Sequence, residues 1–167
     1  MMPMQYGVGD MPFRRLQEEI MKKTRDDSIL AWGLPPKGQS SSATPHGGVL
    51  AVAPSDFAAC SHVVRRERPA SDTLDLRGGS LHLHLRLHTT EDGETLGLLE
   101  CSPSDNTNKV VGIPLVAIRV GQTEEFFRPE GHHIVLVSRV GSEVPSKLVC
   151  IVCELPTAPT QRCWLRV

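Results

Sequence analysis

The stretch Ser80-Leu-His-Leu-His-Leu-Arg-Leu-His88 places a leucine at every second position and a polar residue between. Side chains in a β-strand point to opposite faces in turn, so the four leucines share one face and the histidines share the other with Arg86. In an antiparallel sheet, one such face packs on the core and the other meets water. We therefore predict a strand over residues 81–88 with its leucines buried.

Short runs of β-forming residues fill the second half of the chain, each bounded by Gly, Pro, Asp or Asn. Besides 81–88, they predict strands at residues 73–76, 95–101, 110–120 (interrupted at Pro114), 133–137 and 148–153, with a candidate edge strand at 163–167. No helix pattern separates these runs, so we expect mostly antiparallel pairing in a sheet or sandwich of about six strands. Together with an N-terminal amphipathic helix and a short second helix, this makes the fold class α+β.

The clearest helix signal covers residues 12–23, with Asp10 placed to cap it. One apolar stripe recurs at helical spacing: Phe13, Leu16, Ile20 and Met21. Such a stripe marks the buried side of an amphipathic helix. We expect it to close the domain's own core. The alternative is a docking face for a protein partner or for a second copy of the chain.

The composition divides the chain into three regions. Residues 1–34 form a helical arm, residues 35–47 are a flexible loop rich in Pro, Ser and Gly, and residues 48–167 form a β-rich domain. Early in the third region, Ser55 or Asp56 is placed to cap the short second helix.

Charge and hydropathy exclude several classes of protein. The chain has 18 Lys and Arg against 19 Asp and Glu, so it offers no basic surface for nucleic acid or an anionic membrane. No run approaches the roughly 20 apolar residues of a membrane helix. The N-terminus also lacks the pattern of a secretory signal. We therefore expect a cytoplasmic protein whose cysteines are free thiols.

The polar face of the 81–88 strand raises the question of a metal site. His82 and His84 lie two residues apart on that face, and His132 is a candidate third ligand. Arg86 shares the face, and a fixed cation beside a dication is unfavourable. An amphipathic strand with a polar outer face is therefore favoured. A small zinc-binding protein or metal-dependent enzyme that uses His82 and His84 is the alternative.

Cys150 and Cys153 have the CxxC spacing of redox and zinc sites. They lie inside an apolar run that predicts a strand, so packing as small hydrophobic side chains is the favoured interpretation. The sequence contains no P-loop, no Gly-x-Ser-x-Gly and no His-Glu-x-x-His motif. We therefore expect a non-enzymatic protein and assign it no catalytic residue and no cofactor.

Several ordered motifs resemble the end of the HET domain in fungal heterokaryon-incompatibility proteins. Residues 6–9 (YGVG) and 13–20 (FRRLQEEI) are similar to that family's Tyr-Gly-Glu-Gly element and the helix after it. Residues 26–32 (DDSILAW) resemble its Asp-x-Ser-Ile-x-Ala-Trp element. Residues 48–57 (GVLAVAPSDF) resemble the Gly-x-Leu-Ala-x-Ser-Pro-x-x-Phe stretch that follows. The strand at 81–88 and those after it look like the uncharacterised β-rich region that trails many HET domains.

The resemblance implies a role in vegetative incompatibility, where non-self recognition through protein–protein contacts triggers programmed cell death. It also implies that the chain begins at the last motif of the HET domain, so we expect a truncated member of the family. The face formed by Phe13, Leu16 and Ile20 would then lie against the body of a HET domain. The positions that match the family motif are expected to matter mainly for structure: Tyr6, Gly7, Gly9, Phe13, Arg15, Leu16, Gln17, Ile20, Ser28 and Trp32.

Overall fold

The computed structural model describes residues 11–24, 26–35, 48–66, 74–77, 79–130, 133–139 and 144–153. Within these ranges the fold is α+β, with one α-helix and mostly antiparallel strands, as the sequence predicts. The helix, α1, spans Met11–Thr24, and 3₁₀ helices follow at Asp27–Leu30 and Pro54–Phe57. Asp10 and the candidate edge strand at 163–167 lie outside the described residues.

The described ranges contain nine strands, most of them short. In chain order they are β1 (Val63–Arg65), β2 (Leu74–Arg77), β3 (Ser80–Thr89), β4 (Thr95–Leu98), β5 (Cys101–Pro103), β6 (Lys109–Val120), β7 (Thr123–Phe127), β8 (Val135–Ser138) and β9 (Lys147–Val152). The predicted strand at 95–101 is divided into β4 and β5. The other predicted strands occur within two residues of their predicted ends.

Five of these strands close into a barrel. β3 pairs with β4, β4 with β6, β6 with β7 and β7 with β9, and β9 returns to β3. Each of these pairs is antiparallel except β7 with β9, which is parallel at Phe126 and Ile151. The structure is therefore more closed than the predicted sheet or sandwich, because β9 has a neighbour on both edges.

The stretch SLHLHLRLH forms β3, on which the barrel is assembled. β3 pairs with β9 along one edge, and with β2 and then β4 along the other. Leu81, Leu83 and Leu85 are fully buried, as predicted for this apolar face, whereas the fourth leucine, Leu87, is only half-buried against the core. On β4, a Cβ at Gly97 would lie 2.8 Å from a methyl of Leu115 and 2.9 Å from a methyl of Leu85, so a larger residue there would force these core side chains to shift. The core also includes side chains from α1, β6, β7 and β9: Met21, Ile113, Leu115, Phe126, Val149 and Ile151.

β6 runs through Pro114 without the interruption that the sequence predicts. A proline interrupts a sheet where a neighbouring strand needs its missing N–H donor. On the edge away from β4, β6 pairs with β8 up to Gly112 and with β7 from Val116. Pro114 lies in the gap between these two partners, so that edge needs no donor from it.

α1 buries a different face from the predicted stripe. Met21 is buried in the core, and Phe13 is half-buried with its ring edge-on to that of Phe57, 6.4 Å between centroids. Leu16 and Ile20, in contrast, are 54% and 38% exposed. The expectation that the stripe closes the domain's own core is therefore wrong for Leu16 and Ile20. A polar residue, Gln17, takes the inward position instead and is only 2% exposed.

Gln17 is buried because its amide completes the backbone hydrogen bonding of Ala51. Gln17 Nε2 donates to the Ala51 carbonyl at 2.8 Å, and Gln17 Oε1 accepts from the Ala51 N–H at 2.9 Å. A buried polar side chain is tolerated when its donors and acceptors are satisfied in this way. The two bonds fix the rotation of α1, which turns Gln17 and Met21 inward and leaves Leu16 and Ile20 outside.

The predicted short second helix is a single 3₁₀ turn, Pro54–Phe57. Asp56 Oδ2 accepts from the N–H groups of Val52 and Ala53, at 2.9 and 3.1 Å. Asp56 therefore ties the turn back to the residues before it and does not begin an α-helix.

Replacing Gln17 with leucine is expected to lower the free energy of unfolding by about 2–4 kcal/mol, because both backbone groups of Ala51 lose their partner. Urea unfolding measures the change. Gln122→Leu, in the exposed turn between β6 and β7, is the matched control and should change stability by less than about 0.5 kcal/mol. Equal stability of the two variants would show that the bonds to Ala51 do not hold α1.

Candidate functional site

The outward side of α1 is the candidate functional site. We call it the α1 face, and it consists of Arg15, Leu16, Glu19, Ile20 and Lys23, all exposed. Leu16 and Ile20 lie one turn apart, so their side chains form a continuous apolar patch. In the described part of the chain, no helix is both long enough and apolar enough to span a bilayer.

Trp32 anchors the segment that follows α1. The residue is buried, and its indole Nε1 donates to the Val49 carbonyl at 2.8 Å. On the other side, the guanidinium carbon of Arg128 lies 3.7 Å from the centroid of the Trp32 ring. Trp32 thus joins the arm both to the segment before the second 3₁₀ helix and to the residue that follows β7.

Arg128 is a buried cation that no sequence pattern marks. It is 2% exposed, and its Nη1 and Nη2 donate to the carbonyls of Leu30 and Trp32 at 3.1 and 2.8 Å. Removal from water lowers the pKa of Arg128 to about 9, although the nearby Cys60 and Asp56 oppose the shift. Arg128 is therefore still charged at neutral pH, and the carbonyls and the aromatic ring replace part of its lost hydration.

Two carboxylates fix the first 3₁₀ helix, which links α1 to Trp32. Asp26 Oδ1 accepts from the Ser28 N–H at 2.9 Å, where this helix begins. Asp27 is buried, and its Oδ2 accepts from the Glu100 N–H at 3.0 Å. Because Glu100 lies between β4 and β5, this bond attaches the arm to the barrel.

The positions that match the family motif divide into groups in the structure. Four are buried or half-buried: Phe13, Gln17, Ser28 and Trp32. Three lie on the α1 face: Arg15, Leu16 and Ile20. Three lie outside the described residues: Tyr6, Gly7 and Gly9. A structural role is thus visible for the first group, whereas the second group is displayed at the surface.

His82 and His84 lie together on the outer face of β3, and both are half-buried. Their cross-strand neighbours are Asp75 and Cys150 for His82, and Leu148 for His84. His132 lies outside the described residues. Among the residues that are described, no group of three His, Cys, Asp or Glu side chains is arranged to hold a metal ion. The two candidate ligands therefore share a face, but the described side chains around them are not arranged to complete a metal site.

Cys150 and Cys153 differ in their surroundings. Cys150 is half-buried on β9, whereas Cys153, just after that strand, belongs to the core. Both are free thiols, as is the half-buried Cys60. Burial raises the pKa of Cys153 to about 11, and it also raises the pKa of Cys150 and that of Cys60. A raised pKa reduces the thiolate fraction, so this geometry does not favour redox chemistry.

Comparison with known families gives a match over residues 11–77 to a domain of unknown function (DUF8212). The matched segment begins with α1 and ends with β2, so it includes Gln17, Trp32 and their partners Ala51 and Val49. No curated protein and no solved structure matches the chain. The similarity therefore concerns the arm and its attachment, and it stops before β3.

Arg128→Leu is expected to lower the free energy of unfolding by about 3–5 kcal/mol, because two buried carbonyls lose their donors. Arg128→Lys keeps a charge but loses the forked geometry, so an intermediate loss is expected. Chemical unfolding measures both. Arg119→Leu, at an exposed position of β6, is the control. Equal stability of Arg128→Leu and Arg119→Leu would show that the hydrogen bonds from Arg128 to the carbonyls of Leu30 and Trp32 do not stabilise the fold.

Alkylation of the folded protein by iodoacetamide near neutral pH is expected at Cys150 before Cys153, because only Cys150 is partly exposed. Burial raises the pKa of both thiols, so each should be labelled more slowly than a cysteine in an unfolded chain. Labelling should accelerate as the pH rises, because the thiolate fraction increases. Mass spectrometry of the digested protein measures each rate. Equal rates at the two residues would contradict the placement of Cys153 in the core.

Proposed function

We propose that the chain is a non-enzymatic interaction module of the HET type, which acts in vegetative incompatibility and non-self recognition in the cytoplasm. In this proposal the α1 face binds a HET domain. The observation that carries the proposal is the exposure of Leu16 and Ile20 on a helix whose opposite side is locked into the core. The sequence resemblance supports the choice of partner, since the corresponding helix in HET-type proteins adjoins the last motif of that domain.

Burying the α1 face in the chain's own core would cost more free energy than it returns. To bury Leu16, α1 would have to turn about its axis, which breaks both bonds to Ala51 and withdraws Met21 from the core. Leaving buried polar groups unpaired costs about 1–3 kcal/mol each. Covering the exposed half of one leucine returns only about 1 kcal/mol. The exposed arrangement is therefore the stable one for the isolated chain.

Two of the positions that match the family motif, Leu16 and Ile20, are placed where they can contact a partner. Gln17 and Trp32 make buried hydrogen bonds that hold the arm in place. Leu16 and Ile20 match the same family motif, although 54% of the surface of Leu16 and 38% of that of Ile20 stay exposed. A large apolar side chain that matches the family pattern and still reaches the surface is a candidate for a binding residue.

The apolar patch is small, which limits what it can do alone. A standard protein–protein interface buries about 1,600 Å² in total, far more than two side chains supply. We therefore expect Leu16 and Ile20 to anchor the centre of a larger contact whose rim is polar. The proposal assigns no catalytic residue, no cofactor and no metal.

The double variant Leu16→Asp/Ile20→Asp is expected to abolish binding to a purified HET domain, while the free energy of unfolding changes by less than about 1 kcal/mol. In the free chain the new carboxylates stay in water, whereas at the contact they would be buried without partners. Calorimetric titration measures the binding, and urea unfolding measures the stability.

Leu148→Asp is the matched control, because Leu148 is 57% exposed on β9 and is comparable in exposure to Leu16. This variant should bind the HET domain as the parent chain does. Full binding by the double variant, an equal loss in Leu148→Asp, or no binding by the parent would each contradict the proposal.

A further inference from the structure

α1 carries more positive than negative charge, and its two acidic residues are already paired. Arg14 Nε lies 3.3 Å from Glu18 Oε1 on the half-buried flank of the helix. Lys22 Nζ lies 3.1 Å from Glu19 Oε1 at the surface. Within the described ranges, the helix therefore has two exposed cations that no carboxylate neutralises: Arg15 and Lys23.

These two cations border the apolar patch. At about 100° per residue, Lys23 comes two turns after Leu16 and lies nearly in line with it along the helix. Arg15 lies on the flank of the same face, beside Glu19. The α1 face thus combines an apolar centre, Leu16 and Ile20, with a border whose net charge is positive.

We propose that the α1 face binds an acidic protein segment, which covers Leu16 and Ile20 with apolar side chains and presents carboxylates to the cations at the border. The inference rests on the proposed function and adds the charge of the partner. An acidic segment would bring Arg15 and Lys23 into ion pairs and would speed the encounter, whereas a basic segment would place like charges together. Charge complementarity therefore selects among partners that an apolar patch alone would accept.

An anionic bilayer is the other acidic surface that a basic amphipathic helix can meet. Helices held at a bilayer present a long apolar face together with many cations, since each cation adds only about 1 kcal/mol of attraction. The α1 face has two exposed apolar side chains and two unpaired cations. These are too few for a stable membrane contact, so a protein segment is the favoured partner.

Two synthetic helical peptides test the proposal. They share the same leucine positions, and one carries glutamate where the other carries lysine. In a titration of the isotope-labelled full chain followed by NMR, the acidic peptide should shift the α1 amide resonances, and the lysine peptide should not. The response should weaken as the salt concentration rises, because exposed ion pairs are screened.

The variant Arg15→Glu/Lys23→Glu should bind the acidic peptide about tenfold more weakly, the size expected when two exposed ion pairs are replaced by repulsion. Arg119→Glu, at an exposed position of β6, is the matched control and should bind unchanged. Equal responses to both peptides, no response to either, or unchanged affinity in the double variant would overturn the inference. Stronger binding to phosphatidylserine vesicles than to the acidic peptide would also overturn it, in favour of a lipid surface.

A failure of this inference is distinguishable from a failure of the proposed function. Leu16→Asp/Ile20→Asp tests the apolar contact with the HET domain, and it does not depend on the charge of the peptides. If that variant loses the HET domain while Arg15→Glu/Lys23→Glu keeps it, the acidic-partner inference fails and the proposed function stands. If the parent chain binds the acidic peptide but no HET domain, the choice of HET domain fails and the acidic-partner inference stands.

Discussion

The buried amide of Gln17 sets the rotation of α1, and the proposed function depends on that rotation. An amide in the core is stable only when both of its ends are bonded, and the backbone of Ala51 supplies both partners. Apolar burial alone would turn the side with Leu16 and Ile20 inward, as the hydrophobic stripe predicts. The hydrogen bonds between Gln17 and Ala51 contribute more than the burial of Leu16 and Ile20 would, so these two side chains stay at the surface.

The arm is attached to the barrel by polar groups that bond to the backbone, in addition to apolar packing. Arg128 donates to the carbonyls of Leu30 and Trp32, and Asp27 accepts from the Glu100 N–H. Hydrogen bonds require a defined direction, whereas hydrophobic contacts do not. The arm therefore presents α1 in one orientation, and a preorganised surface loses less conformational entropy when a partner binds.

Local patterns predicted the helix and most strands, because the alternation in β3 and the spacing in α1 can be seen within about ten residues. Barrel closure was not predictable, since it depends on β9 pairing with β3 and β7, which are distant from it in the sequence. β7 was missed because its first residues are polar, although Gly121, at φ 63°, marks the tight turn before it. The exposure of Leu16 was missed because it depends on Gln17 bonding to Ala51, 34 residues away. Nothing local distinguishes Arg128 from an exposed arginine.

The most direct test of the account is methyl NMR of the full chain during titration with a purified HET domain. Leu16 and Ile20 lie on the α1 face, whereas Leu148 is an exposed leucine on the barrel. We predict that the largest shifts occur at the methyl groups of Leu16 and Ile20, while those of Leu148 do not move. Shifts confined to Leu148 and other barrel methyl groups, with Leu16 and Ile20 unchanged, would contradict it.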